Sequence, residues 1–317
     1  MKLSRVRMAV AAVALTLTMV AGPLTAAERA EPKLQSAAVL VMDQETGEIL
    51  LSHNSESVTP IASLTKLMTA LITVQAGLDL NEVIEITEAD VDTLKGTGSR
   101  LRVGSALTRD DMLKLALMAS ENRAASALGR SYPGGKSAFV AAMNAKAHAL
   151  HMTATHFVEP TGLSSANVSS AEDLAKLVRA AHEMPLIREY STSPRHEVKI
   201  KGRTAEFVNT NALVRGGSWD IGLSKTGYIT EAGRCLVMQA KFNARSVIIV
   251  LLDSIGKYTR VADAKRIREW LDPSFAIERP QIVRSKAVKV KAKVAKKAPT
   301  KRVAKTRVKA KIQAAAR

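Results

Sequence analysis

The chain opens its folded part with two short apolar runs, Ala37–Asp43 and Glu48–Ser52, joined at Gln44-Glu45-Thr46-Gly47. Runs of strand length around a glycine-bearing turn predict a β-hairpin. The period then changes. Leu64, Leu67, Met68, Leu71 and Ile72 repeat at i, i+3, i+4, i+7 and i+8, the stripe of a core-facing helix. Thr59 is the expected N-cap, Pro60 the first-turn residue and Gly77 the stop. Thr87 is expected to cap a short helix ending near Lys95-Gly96, and Thr97–Gly104 to run as a glycine-punctuated loop. Thr108 caps a helix to Ala119 with Asp110 and Asp111 in its first turn. Helices Arg123–Arg130, Ser137–Leu150 and Ala171–His182 follow, the last capped by Ser170, with a turn at Glu159–Leu163. Strands return at His196–Lys201 and Thr204–Val208, at Ile221–Tyr228, and at the hairpin Cys235–Phe242 and Ser246–Asp253. Val261–Leu271 closes as a helix. Strands, a helical insertion over about Asp79–Met184, more strands and a last helix predict an α+β fold whose N- and C-terminal strands share one sheet.

Composition divides the 317 residues into three parts. Met1–Ala27 has a basic start (Lys2, Arg5, Arg7), an apolar stretch to Gly22 and a small-residue end, the pattern of a secretory signal cleaved after Ala27. Residues 28–272 form the expected folded domain of an exported protein. The net charge of +18 is concentrated at the end: 279–317 holds 15 of the 47 Lys and Arg and no Asp or Glu, leaving 32 basic against 29 acidic residues elsewhere. Residues 273–317, without aromatic residues after Phe275, read as a disordered basic tail. That tail suits anionic membrane or wall polymers; export argues against nucleic acid. Cys235, the single cysteine, lies in an apolar run and reads as a small core residue, so no disulfide is expected.

Chemistry enters at the striped helix. Lys66 is the only ionisable side chain between Glu56 and Asp79. Ser63 and Lys66, three residues apart, share a helical face away from the leucines. A desolvated lysine loses proton affinity and can act as base toward a serine. Ser120-Glu121-Asn122 places polar groups between two buried helices, a costly arrangement unless they are bonded or used. Lys225-Thr226-Gly227-Tyr228 lies on a predicted strand, its cation and hydroxyl suited to a substrate carboxylate and Gly227 permitting close approach to the edge. His148, His151 and His156 cluster without a partnering carboxylate, so no metal and no cofactor is expected. Glu121, Arg100 and Arg102 read as solvated.

Ser63-Leu64-Thr65-Lys66, Ser120-Glu121-Asn122 and Lys225-Thr226-Gly227, in this order, form the signature of penicilloyl-serine enzymes. The chain resembles the low-molecular-mass penicillin-binding proteins that are D-alanyl-D-alanine peptidases, and within them the endopeptidases. Pro60–Ala70, Ser120–Ala124, Tyr132–Gly135, Pro160–Ser165 and Gly222–Ile229 carry the likeness, which covers about Leu34–Asp272. The resemblance implies a β-lactamase/transpeptidase-like fold, with a central antiparallel sheet flanked by helices. It implies Ser63 as nucleophile, Lys66 as its base and Ser120 as proton relay to the leaving amine. Asn122 would hold the substrate amide and Lys66, and Lys225 and Thr226 the carboxylate beside the scissile bond. The Ser63 and Tyr228 amides would form the oxyanion hole. Peptidoglycan peptides are the implied substrates and β-lactams the acylating inhibitors. Glu121 stands where related carboxypeptidases often have glycine, and no C-terminal β-domain or amphipathic anchor follows the closing helix. Both departures favour endopeptidase over the alternative, a DD-carboxypeptidase. A β-lactamase lacks support because no Glu-x-x-Leu-Asn motif is present. A non-catalytic wall-binding protein would not need all six polar residues.

Overall fold

A computed structural model describes residues 30–274. The expected leader and the basic run 279–317 lie outside them. The strands are β1 (Ser36–Asp43), β2 (Ile49–His53), β3 (Thr59–Pro60), β4 (Val83–Glu85), β5 (Ala106–Thr108), β6 (Val168–Ser169), β7 (Arg195–Ile200), β8 (Arg203–Val208), β9 (Asp220–Ile229), β10 (Gly233–Phe242) and β11 (Arg245–Ser254). The helices are α1 (Thr65–Gln75), α2 (Arg109–Met118), α3 (Asn122–Arg130), α4 (Gly135–Ala149), α5 (Ala171–His182), α6 (Pro185–Thr192), α7 (Ala212–Gly216) and α8 (Thr259–Leu271).

A five-stranded sheet runs β2-β1-β11-β10-β9, with every neighbouring pair antiparallel. The N-terminal hairpin joins the C-terminal strands where β1 meets β11, with Leu40 opposite Val250. Alternation on β11 sorts the core. Ile248, Val250 and Leu252 face one apolar cluster with α1, α2 and α5. Val247, Ile249 and Leu251 face another with Ala264 and Ile267 of α8. Side chains of a strand point alternately to the two faces, so one apolar run serves two layers. The result is helix, sheet, helix. A buried clamp fastens the ends: Asp263 of α8 accepts from Gln35 N (3.0 Å), Ser36 N (2.9 Å) and Ser36 Oγ (2.8 Å), and pairs with Arg266 at 2.7 Å.

Local signals set several elements. Thr108 Oγ1 accepts from Asp111 N at 3.1 Å, and Ser170 Oγ from Asp173 N at 3.2 Å, capping α2 and α5. Two expectations require correction. The helix expected from Thr59 begins only at Thr65: Thr59-Pro60 pairs with Ser169-Val168, and a 3₁₀ turn, Ala62–Leu64, precedes α1. The helix expected to reach Lys95 is one 3₁₀ turn, Glu88–Asp90, because the chain beyond folds around Asp92, which accepts from the Leu94, Lys95 and Thr97 amides. The strands expected at His196–Lys201 and Thr204–Val208 do form, as the hairpin β7–β8, which is a separate two-stranded sheet. The edge strand β9 is instead covered by α6 and by the 62–64 turn, which shields its edge from other strands.

Candidate active site

The 62–64 turn begins on a strained backbone. Ala62 has φ +48°, a left-handed conformation costing a non-glycine residue roughly 1–3 kcal/mol. Two glycines hold the turn from opposite sides. A Cβ on Gly162 would stand 1.9 Å from the Ala62 carbonyl oxygen, and Gly162 itself has φ +80°. A Cβ on Gly227 of β9 would lie 3.0 Å from Ile61 O and 3.2 Å from Ser63 N. Only hydrogen at both positions lets the loop and the strand approach this closely. Ser63 is the second residue of the turn, so its N–H has no acceptor in a preceding helical turn.

Lys66 is 0% exposed. Its Nζ donates to Asn122 Oδ1 at 2.7 Å and to the Thr161 carbonyl at 2.6 Å, and lies 2.9 Å from Ser63 Oγ. A neutral amine has two N–H donors and one lone pair. Asn122 and Thr161 can take those two donors, which would leave the lone pair for the Ser63 O–H; the protonated amine donates to Ser63 Oγ as well. Burial lowers the Lys66 pKa to about 8, against the opposing pull of Glu159, Glu121 and Asp92. The stretch Glu56–Asp79 offers Lys66 no counter-charge, but the fold brings in these three carboxylates, which temper the desolvation.

Glu159 is the residue that sequence reasoning missed. It is 7% exposed. It accepts from Thr161 N (2.6 Å), Gly162 N (2.6 Å), Ser164 N (3.3 Å) and Asn167 Nδ2 (3.0 Å). The carboxylate thus organises the loop that presents Gly162 to the Ser63 turn and the Thr161 carbonyl to Lys66. Thr69 Oγ1 of α1 straps the same loop by donating to Pro160 O at 2.6 Å. The only sequence signal was the Glu-Pro-Thr-Gly turn, and a turn pattern does not reveal which side chain is buried under it.

The second motif follows α2. Ser120 has φ +58°, and its Oγ accepts from Lys225 Nζ at 2.9 Å. Glu121 is no free loop carboxylate: it caps α3, accepting from Arg123 N at 3.3 Å and from Ser99 Oγ. Asn122 uses both ends of its amide, since Nδ2 donates to Thr97 Oγ1 at 3.0 Å, which in turn donates to Asp92 at 2.7 Å. From β9, Lys225 is 1% exposed, with Nζ also on the Thr226 carbonyl at 2.8 Å. Burial, with Lys66 and Arg260 nearby, holds its pKa well below the ordinary lysine value; a bound carboxylate would supply the counter-charge. Thr226 Oγ1 donates to Thr210 Oγ1 at 2.7 Å. Arg260 of α8 donates to the Gly227 carbonyl at 2.8 Å and fixes the strand from behind. The Tyr228 side chain is exposed under the Arg234 guanidinium, 4.4 Å from the ring centroid. The three motifs therefore meet: Ser63, Lys66 and Asn122 in one hydrogen-bonded group, Ser120 and Lys225 in another.

This geometry has the sequence relatives one would look for. Residues 25–256 match peptidase family S11, described as D-alanyl-D-alanine carboxypeptidase. The chain belongs to that family. Within the S11 peptidases it is similar to a D-alanyl-D-alanine endopeptidase of Pseudomonas aeruginosa, 51% identical over 244 residues, covering 76% of this chain and 79% of the relative. It is also similar to one of Escherichia coli, 44% identical over 255 residues, covering 80% and 82%. Among solved structures, the Streptomyces K15 DD-transpeptidase superposes with TM-score 0.71 at 27% identity, over 78% of this chain and 100% of that one. The β-lactamase/transpeptidase-like arrangement of antiparallel sheet and helices is thus shared with S11 and transpeptidase structures.

A rate that depends on a neutral Lys66 is expected to rise with pH. Below about 8 the amine is mostly protonated, so acylation of Ser63 by a fluorescent penicillin should fall about tenfold per pH unit there and level off above. The sign for stability is the same: between about 8 and the ordinary lysine value of 10.5 the unfolded chain binds the extra proton, so this group adds stability as pH rises. Second-order acylation rates measured from about pH 6 to 9.5 check the first point; a flat profile would mean that Lys66 is not the base.

Proposed function

We propose that the chain is an exported, penicillin-sensitive serine DD-endopeptidase, cutting D-alanyl–diamino-acid cross-links of peptidoglycan through a Ser63 acyl-enzyme. The observation that carries the reading is the buried Lys66 Nζ, 2.9 Å from Ser63 Oγ with its other bonds met by Asn122 and Thr161. The neutral amine takes the Ser63 proton as Oγ attacks the D-alanine carbonyl. The developing oxyanion lies against the Ser63 and Tyr228 amides, and such donors are typically worth ~10²–10³ in rate each. The proton passes by way of Ser120 to the leaving amine, the C–N bond breaks, and water releases the acyl group. Asn122 positions Lys66 and the substrate amide. Lys225 and Thr226 hold the carboxylate beside the leaving amine, a group present on a terminal D-alanine and on a cross-linking diamino acid alike.

The names of the endopeptidase relatives favour the cross-link as substrate. Purified cross-linked and uncross-linked muropeptides, digested side by side, decide the matter: monomers released from dimers are expected. Loss of terminal D-alanine with dimers left intact would make the chain a carboxypeptidase. The domain plan proposed with this activity is a leader, 1–27, a catalytic domain, 28–272, with its helical part at about 79–184, and a basic tail, 273–317. The tail would add an electrostatic hold on anionic wall or membrane polymers, at ~1 kcal/mol per basic residue near the surface. A chain ending at Pro273 should lose binding to anionic vesicles at low salt; unchanged binding would remove that role. Among the described residues no helix is long and apolar enough to cross a membrane.

A further inference from the structure

The loop that carries Thr97 to Asn122 has a second face. Beyond Ser99 it forms, with the hairpin β7–β8, a groove of about 560 Å³ lined by Ser99, Arg100, Arg102, Ser105, Lys201 and Arg203 among others, and by no Asp or Glu. Two of the four cations build the groove. Arg100 donates to the Glu206 carbonyl and stacks 3.6 Å from the Phe207 ring centroid, and Lys201 Nζ donates to the Val103 carbonyl at 3.2 Å. Arg100 is therefore structural, where the sequence suggested a solvated residue. The other two, Arg102 and Arg203, have side chains with no hydrogen bond or ion pair among the described residues; Glu206, next to the groove, is paired with Arg195 at 3.6 Å. Under them Ser105 is 0% exposed, and its Oγ has no partner. A buried hydroxyl without a partner normally costs free energy.

We propose that this groove binds a carboxylate of the substrate peptide remote from the scissile bond. Two planar guanidinium forks match carboxylate oxygens. The volume falls in the range of small-ligand clefts, enough for a peptide side chain. The groove is tied to the reaction centre through covalent and hydrogen-bonded neighbours: Ser99 Oγ donates to Glu121, which caps the helix beginning at Asn122, and Arg123 donates to the Leu101 carbonyl at 2.9 Å. An acidic peptide seated there would be held by the same loop that fixes Asn122. The inference rests on the peptide-substrate reading above.

The test uses the full chain in two forms. In a Ser63→Ala background, binding of a synthetic peptide with two glutamate residues ahead of D-Ala-D-Ala is compared with that of its side-chain amide counterpart at low salt. The acidic peptide is expected to bind about tenfold more tightly, and Arg102→Glu/Arg203→Glu should erase the preference. With Ser63 intact, the same pair of substitutions should leave penicillin acylation within about twofold of the parent, since a small β-lactam does not reach the groove. Equal binding of the two peptides by the parent, or a preference that survives the double substitution, would overturn the proposal. So would a loss of penicillin acylation matching the loss of binding, which would mark a structural role. Inorganic phosphate displacing the peptide at equal anion concentration would make the groove a general anion site and overturn its assignment to peptide. Because binding is read without turnover, a chain that binds the acidic peptide but releases no monomers would fail as an endopeptidase while keeping the groove.

Discussion

A Ser63→Ala chain is expected to take up no covalent penicillin label, and a Lys66→Gln chain to acylate ~10²–10⁴-fold more slowly than the parent. The two effects have different origins. Removing Oγ removes the atom proposed to form the acyl bond. Replacing Lys66 leaves that atom in place, 2.9 Å from where the amine had been, but removes the proposed proton acceptor. Glutamine can still donate toward Asn122 Oδ1 and the Thr161 carbonyl, the two acceptors the amine uses, so the fold around the site should persist. Thermal unfolding recorded beside gel fluorescence separates the chemistry from collapse of the site. Label on Ser63→Ala, or parent-like rates for Lys66→Gln with an unchanged melting profile, would remove the respective assignment.

Gly162→Ala is expected to be nearly as damaging to acylation, by ~10² or more, though residue 162 carries no reactive group. The new methyl would meet the Ala62 carbonyl at 1.9 Å and the Ser63 amide at 2.9 Å, on a backbone already at φ +80°. The neighbours are backbone atoms that cannot rotate aside, so the turn that aims Ser63 must move. A loss of roughly 2–4 kcal/mol of stability should accompany it. Gly47 offers the control: its φ is +76° but nothing lies within 4 Å of its added Cβ. Gly47→Ala should cost about 1 kcal/mol from conformational strain and leave acylation intact. Similar acylation rates for the two variants would show that the contact with Ala62 does not hold the nucleophile.

Glu159 illustrates why part of the site was not legible. In the sequence it is one acid in a turn, while the structure buries it and surrounds it with the Thr161, Gly162 and Ser164 amides. No periodicity records such an arrangement, because its donors come from irregular backbone. Arg260 was equally silent: a helix residue on the closing element, it reaches the Gly227 carbonyl 33 positions away. Ala62 gives no hint of a left-handed backbone either, since alanine, unlike glycine or asparagine, does not favour one. The start of α1 was misplaced for a related reason. Thr59-Pro60 carries a sound local capping pattern, but pairing with Val168-Ser169 outweighs it.

What the sequence determined by itself was the set of regular elements and the chemistry they carry. The β10–β11 hairpin, expected at Cys235–Phe242 and Ser246–Asp253, forms over Gly233–Phe242 and Arg245–Ser254, because apolar alternation around a short polar turn is a local property. The α+β order and the three motifs were likewise readable, since residue type and spacing survive without coordinates. Only the tertiary structure decided how those motifs work on one another. It placed the Thr161 carbonyl on an amine 95 residues away and Ser120 on a lysine 105 residues away, and it set two glycines against one turn. Burial, and with it the proton affinity of Lys66, is a sum over neighbours brought in from the whole chain, and that sum exists only once the chain is folded.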